Sequence, residues 1–116
     1  MQKRPLSPHL SIYKLPMGAI MSILHRISGA GMFVSFSLLS WYFITKTFYG
    51  CECKNLAYAS YILSILFSLG LFYHLITGIR HLVWDAGYCL SKEAVFKSNF
   101  ICLASSILLV IWFWFL

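Results

Sequence analysis

The sequence contains three uncharged, largely apolar runs that are each long enough to cross a lipid bilayer. They cover residues 27–45, 55–79 and 98–116, which are 19, 25 and 19 residues long. A helix needs roughly 20 such residues to span the hydrocarbon core. In lipid, only helices and closed barrels satisfy every backbone hydrogen bond, and three strands cannot close a barrel. The runs therefore predict an all-α membrane protein with three transmembrane helices.

The predicted segments follow from these runs and from the residues that flank them. An extended or amphipathic segment along one membrane face is expected over residues 1–20, where prolines and charges interrupt any apolar pattern. The three transmembrane helices are expected over residues 21–49, 55–88 and 98–116.

Composition and charge indicate a membrane protein that works with partners. Hydrophobic residues make up 60% and charged residues 10% of the 116-residue chain, whereas soluble proteins carry about 25% charged residues. So few helices cannot enclose a large prosthetic group alone, which indicates a heteromeric helical bundle. The net charge of +6 comes from basic residues at segment ends. The sequence shows no basic groove with interleaved aromatic residues, so nucleic-acid binding is not expected.

Lysine and arginine are distributed unevenly between the two membrane sides. With three spans, the amino terminus and the second connection share one side, which holds seven basic residues, whereas the other side holds only Lys46 and Lys54. The excess of basic residues normally faces the cytoplasm or the matrix. The amino terminus is therefore expected on that side, in a mitochondrial inner membrane or a bacterial cytoplasmic membrane.

A line of polar residues runs along the end of the second span. On a helix with 100° per residue, His74, Gly78, His81 and Asp85 fall within about 60° of one another. Ionisable groups in hydrocarbon are costly and usually mark a functional site. His74 lies about 9 Å below the membrane boundary. Its residue type allows three interpretations, namely an axial haem ligand, a hydrogen-bonded polar bridge or part of an ion path.

A haem that stands edge-on at His74 would place its anionic propionates close to basic residues. His81 lies about 10 Å further along the helix, and His25 and Arg26 lie where the first span enters the membrane on the same side.

The four cysteines include no C-x-x-C pair, so a four-ligand zinc site is not expected.

A second polar cluster lies where the first span enters the membrane. Ser22 and Arg26 are four residues apart and therefore point the same way. Their hydroxyl and guanidinium suit hydrogen bonds to a quinone carbonyl and stabilisation of the charge that develops on reduction. Alternatively, Arg26 extends to lipid phosphates and Ser22 bonds its own backbone. Asp85 has three interpretations: it pairs with Arg26 or Arg80, it orients an arginine beside the quinone, or it is a solvated helix end.

These motifs together resemble the cytochrome b membrane-anchor subunits of succinate dehydrogenase. The resemblance covers nearly the whole chain and the order of its three spans. It rests on Arg4-Pro5-Leu6, on the S-I-L-H-R-I-S motif of residues 22–28 and on the H-x-x-x-G-I-R-H-L-V-W-D motif of residues 74–85.

For the haem, the resemblance implies a b-type group shared between two subunits. His74 would be one axial ligand of the iron, and the second ligand would come from another small membrane-anchor subunit. His25 and His81 would contact the propionates.

For the quinone, the resemblance implies a ubiquinone site that includes Ser22, Arg26 and Asp85. The further partners would be an iron–sulfur subunit and a flavoprotein subunit, which pass electrons from succinate to ubiquinone. The chain would not be an enzyme alone. Two other classes are a haem-free structural anchor and a small transporter or channel subunit. The latter predicts polar residues at the bilayer midplane, where residues 27–43 and 100–116 offer only serines.

Overall fold

Three long α-helices form the computed structural model, which describes residues 14–50 and 53–116. Helix α1 spans Met17–Tyr49, α2 spans Lys54–Asp85 and α3 spans Lys92–Phe115. Each helix is long and apolar enough to cross a membrane. Within the described residues, the predicted all-α fold with three transmembrane helices is confirmed.

The helices begin and end at other residues than predicted. Most of the segment predicted over residues 1–20 lies outside the described residues, and α1 already begins at Met17. Helix α2 ends at Asp85 instead of residue 88, and α3 begins at Lys92 instead of residue 98. An uncharged run measures only the length that crosses hydrocarbon, whereas a helix continues through charged residues at the membrane surface.

Local sequence explains two of these boundaries. Gly50 follows α1 with a left-handed φ of 61°, a conformation that costs glycine little. Ser91 precedes α3 and accepts a hydrogen bond from the backbone N–H of Ala94 at 3.2 Å. Glu93 in the first turn of α3 suits the positive end of the helix dipole. The end of the bundle where α1 and α3 begin and α2 ends is called the inner end below.

Helix α2 is the central helix of the bundle. It packs along both other helices, whereas α1 and α3 touch each other at few points. One such point is Gly18, where a Cβ atom would lie 3.8 Å from Val95 Cγ1. Further from the inner end, an apolar cleft of about 430 Å³ lies between Leu24 and Ile27 of α1 and Leu103 of α3. This cleft marks the side of α1 that faces α3.

Polar contacts join the helices. Lipid is as apolar as leucine, so membrane helices associate through close packing and interhelical hydrogen bonds. Tyr73 Oη donates to the Met21 carbonyl at 3.0 Å, and Trp114 Nε1 donates to Ser68 Oγ at 2.8 Å. These bonds tie α2 to both of its neighbours. The buried side chains among the described residues are Met21, Leu39, Ser68, Tyr73, Thr77, Arg80, Asn99, Cys102 and Ser106.

Candidate functional site

Histidines from two helices meet in the inner half of the bundle. The imidazoles of His25 on α1 and His74 on α2 stack with ring centroids 3.8 Å apart and an interplanar angle of 12°. His81 meets His25 edge-on, with centroids 5.3 Å apart. The fold therefore brings the predicted axial ligand together with both predicted propionate contacts.

Hydrogen bonds fix which nitrogen of His74 carries the proton. His74 Nδ1 lies 3.0 Å from the His25 carbonyl oxygen and 3.1 Å from Ser28 Oγ. The Ser28 hydroxyl donates to the same carbonyl at 2.7 Å. Because a carbonyl oxygen only accepts, Nδ1–H must be the donor. The lone pair of His74 is then on Nε2, which is the arrangement found in metal-ligating histidines.

The imidazole of His25 is held in the same way from the other helix. Its Nδ1 lies 2.7 Å from Thr77 Oγ1. The Thr77 hydroxyl donates to the Tyr73 carbonyl at 2.6 Å, so its oxygen accepts from His25 Nδ1–H. His25 therefore also keeps its lone pair on Nε2.

Both histidines belong to the same short sequence pattern, H-x-x-S/T-G. One copy covers residues 25–29 of α1 and the other covers residues 74–78 of α2. Each histidine bonds the hydroxyl of the opposite copy. The two copies therefore pack as an approximately two-fold pair. The sequence interpretation placed Ser28 in the motif at the start of the first span but did not foresee its contact with His74. It missed Thr77, which the repeated pattern identifies together with Ser28.

The glycine of each copy faces the histidine of the other. A Cβ atom on Gly29 would lie 3.0 Å from His74 Cε1, and one on Gly78 would lie 3.7 Å from His25 Cε1. The first distance is too short for an undisturbed contact, and the second is an ordinary van der Waals contact. Gly29 therefore fixes how closely His74 approaches α1.

Ser22 and Arg26 lie on the flank of α1 that faces away from the cleft. At 100° per residue, they are about 60° and 100° from His25 in one direction, whereas Leu24 is about 100° away in the other. Ser22 is half-buried and Arg26 is exposed. Neither forms a hydrogen bond or ion pair within residues 14–50 and 53–116. Both polar groups are therefore open to a ligand or another subunit.

Asp85 is the exposed last residue of α2. On the helix wheel it lies about 20° from His74, so it belongs to the histidine face at the inner end. It forms no ion pair in the described part of the chain. The alternative that pairs it with Arg26 or Arg80 is therefore not found there, and Asp85 is a free carboxylate at a helix end.

Arg80 is buried, although the sequence interpretation treated it mainly as the boundary of the second span. Only 6% of its surface is exposed. Its Nη1 donates to Asn99 Oδ1 on α3, and its guanidinium carbon lies 4.5 Å from the centroid of the Trp84 ring. On α2 it points about 120° away from His74. The helix wheel contains this signal, but it does not show that α3 lies in that direction.

The donor set around His74 fits a haem better than a metal ion held by this chain alone. Among the described residues, no three His, Cys, Asp or Glu side chains converge to bind a metal. His74 offers one imidazole in a fixed tautomer. A metal bound there would need its other ligands from a macrocycle such as a porphyrin or from outside these residues.

Comparisons with known proteins match nearly the whole chain to one family. A family model described as the succinate dehydrogenase/fumarate reductase transmembrane subunit matches residues 1–113. The succinate dehydrogenase cytochrome b556 subunit of Rickettsia felis is 41% identical over 97% of this chain and 91% of its own length. That of Paracoccus denitrificans is 38% identical over 93% and 87%. The cytochrome b560 subunit of Reclinomonas americana is 36% identical over 96% and 84%.

Proposed function

Because the chain belongs to the succinate dehydrogenase/fumarate reductase transmembrane-subunit family and is a membrane anchor of succinate dehydrogenase, we propose that His74 is an axial ligand of haem b. The similar proteins are named cytochrome b subunits, a name that implies a haem. The hydrogen bond between His74 Nδ1–H and the His25 carbonyl carries this proposal, because it leaves Nε2 for the iron. The resemblance to the family is confirmed.

Bound at His74, the haem would supply one-electron redox chemistry. The chain's own residues hold the ligand in place: Ser28 and the His25 carbonyl fix the tautomer, and Gly29 sets the position of the ring. His25 and His81 contact the propionates in this proposal. Their rings lie beside each other, and His81 is about 10 Å closer to the inner end than His74.

The second axial ligand comes from another subunit in this proposal. Next to His74, on the side opposite Arg80 and α3, the α2 surface carries exposed apolar residues such as Leu75 and Leu82. Such an apolar face suits packing against another membrane helix. A second small anchor subunit on this face would complete the haem site.

Ser22, Arg26 and Asp85 form this chain's part of a ubiquinone site in the same proposal. The Ser22 hydroxyl and the Arg26 guanidinium share one flank of α1 and donate hydrogen bonds to a quinone carbonyl. The charge of Arg26 stabilises the negative charge that develops when the quinone is reduced. Asp85, which pairs with no arginine in the described part of this chain, lies at the same end of the bundle and would orient Arg26 once a quinone is bound.

The subunit is a multi-pass membrane protein of succinate dehydrogenase. We place its inner end at the matrix or bacterial cytoplasm, because seven of its nine basic residues belong to that side. The iron–sulfur subunit then docks at the inner end, next to Arg26. It delivers the electrons that the flavoprotein takes from succinate.

The test of the haem assignment is a reduced-minus-oxidised spectrum of the intact, purified complex. A b-type band is expected, with one haem for each copy of this chain. A complex with all its subunits and no such band would instead identify the chain as a haem-free structural anchor.

Gly29→Ala is expected to disturb the haem site without disrupting the helix. The new Cβ atom would lie 3.0 Å from His74 Cε1, so the imidazole must shift by a few tenths of an ångström. We expect a lower haem content and an altered low-spin ferric EPR signal. Gly31→Ala is the matched control, since it adds the same methyl group to the same helix with nothing within 4 Å. Identical haem content and EPR signals in both variants would contradict the role of Gly29.

A further inference from the structure

Arg80 is a buried cation that no carboxylate in the described part of the chain neutralises. The side chain is 6% exposed, and its Nη1 donates to Asn99 Oδ1. Its Nε and Nη2 atoms are also buried and have no hydrogen-bond partner. The carboxylates of Asp85 and Glu93 are on exposed residues and form no ion pair with it.

The guanidinium is enclosed between α2 and α3. Asn99 is 1% exposed, and the Trp84 ring covers the guanidinium at 4.5 Å. Because Nε and Nη2 are buried as well, bulk water cannot surround the charge and screen it. A charge in such a low-dielectric environment acts over longer distances than one at the protein surface.

One hydrogen bond to Asn99 and the contact with Trp84 do not by themselves explain why a cation occupies this position. Burying a charge with so few partners is unfavourable, and apolar residues often replace buried ionic groups without loss of stability. An ionisable residue inside a membrane bundle is therefore evidence of function. Because the guanidinium is enclosed, it can act on a cofactor bound nearby through its electric field and not by direct contact.

We propose that Arg80 is a fixed positive charge that raises the reduction potential of the haem at His74. This inference rests on the proposed role of His74. Arg80 lies six residues and thus about 9 Å along α2 from His74. Reduction removes one positive charge from the iron. A neighbouring cation therefore repels the ferric haem more than the ferrous haem, and it favours electron uptake. A guanidinium remains protonated in proteins, so its field is constant.

The test is a spectroelectrochemical titration of haem b in the intact complex. Arg80→Met removes the charge and keeps the side-chain length, and it is expected to lower the haem midpoint potential. Arg80→Lys keeps the charge and loses the planar guanidinium, and its midpoint is expected to stay close to that of the wild type. Lys97→Met is the matched control: it removes an exposed cation of α3 that water screens, so no shift is expected.

The outcomes separate an electrostatic role from a structural one. A purely structural role would change the haem content or the thermal stability of both Arg80→Met and Arg80→Lys, and the haem midpoint potentials of the two variants would not differ. Equal haem midpoint potentials in the wild-type, Arg80→Met and Arg80→Lys complexes would overturn the proposal, and so would equal shifts of the potential in both variants.

Arg80→Gln keeps a donor for Asn99 and serves as a second neutral variant. If both neutral variants fail to assemble with haem, the cation serves assembly and the proposal is wrong. A wild-type complex without a b-type band would overturn the haem role of His74 as well, which distinguishes the two failures.

Discussion

His74→Ala is expected to abolish the b-type band in the reduced-minus-oxidised spectrum of the complex. The substitution removes the imidazole whose Nε2 is proposed to bind the iron, and alanine offers no ligand in its place. The chain should still assemble, because α1 and α2 keep the bond from Tyr73 Oη to the Met21 carbonyl and the bond between His25 and Thr77. Intact-complex mass spectrometry would confirm that all subunits are present while the spectrum is measured.

His25→Ala is the demanding control for this experiment. His25 has the same H-x-x-S/T-G surroundings as His74 and also keeps its lone pair on Nε2. We expect its loss to remove only a contact to an anionic propionate, worth about 1.5–3 kcal/mol or roughly a 10- to 100-fold change in haem affinity. The axial ligand remains, so the band should persist. A band that survives in His74→Ala and disappears in His25→Ala would reverse the assignment of the ligand.

The three spans were predictable because bilayer thickness sets a minimum apolar length. The ends of the helices could not be predicted from the apolar runs, because α3 also contains charged residues. Lys92, Glu93 and Lys97 all belong to this helix, although they interrupt the apolar run. Ser91 is a helix-capping residue type, and together with Glu93 it indicates the true start. Counting uncharged residues ignores such capping signals.

The sequence predicted which histidines lie together, but not how they contact each other. A helix wheel places His74 and His81 on one face, and His25 enters the first span on the same membrane side. The relative register of α1 and α2 decides that His74 Nδ1 meets the His25 carbonyl and that His25 meets Thr77. Register depends on how two helices pack, and neither helix specifies it by itself.

The position of Arg80 shows the same limit. An arginine at the end of a span normally extends to the membrane surface, and the wheel shows only that Arg80 points away from His74. Whether that direction faces lipid, water or protein depends on where α3 lies. Asn99 on α3 accepts a hydrogen bond from Arg80 and keeps it inside the bundle.

Arg26→Ala is expected to lower kcat/KM for ubiquinone by about 10- to 100-fold. A hydrogen bond from a charged donor contributes about 1.5–3 kcal/mol, and each 1.4 kcal/mol is a factor of ten. The loss should fall on kcat as well as on KM, because the guanidinium interacts most strongly with charge that develops during reduction. Steady-state kinetics with succinate and a soluble ubiquinone analogue would measure both constants.

Two controls restrict this effect to the quinone step. Reduction of a soluble dye that accepts electrons from the flavoprotein and iron–sulfur subunits should be unchanged in Arg26→Ala, since the residue lies on the membrane subunit. Lys97→Ala also removes an exposed cation, but from α3, and its quinone kinetics should match those of the wild type. Arg26→Lys should be intermediate, because it keeps the charge and loses the planar pair of donors. Unchanged quinone kinetics in Arg26→Ala, or equal losses with quinone and dye, would show that Arg26 only anchors α1 at the membrane surface.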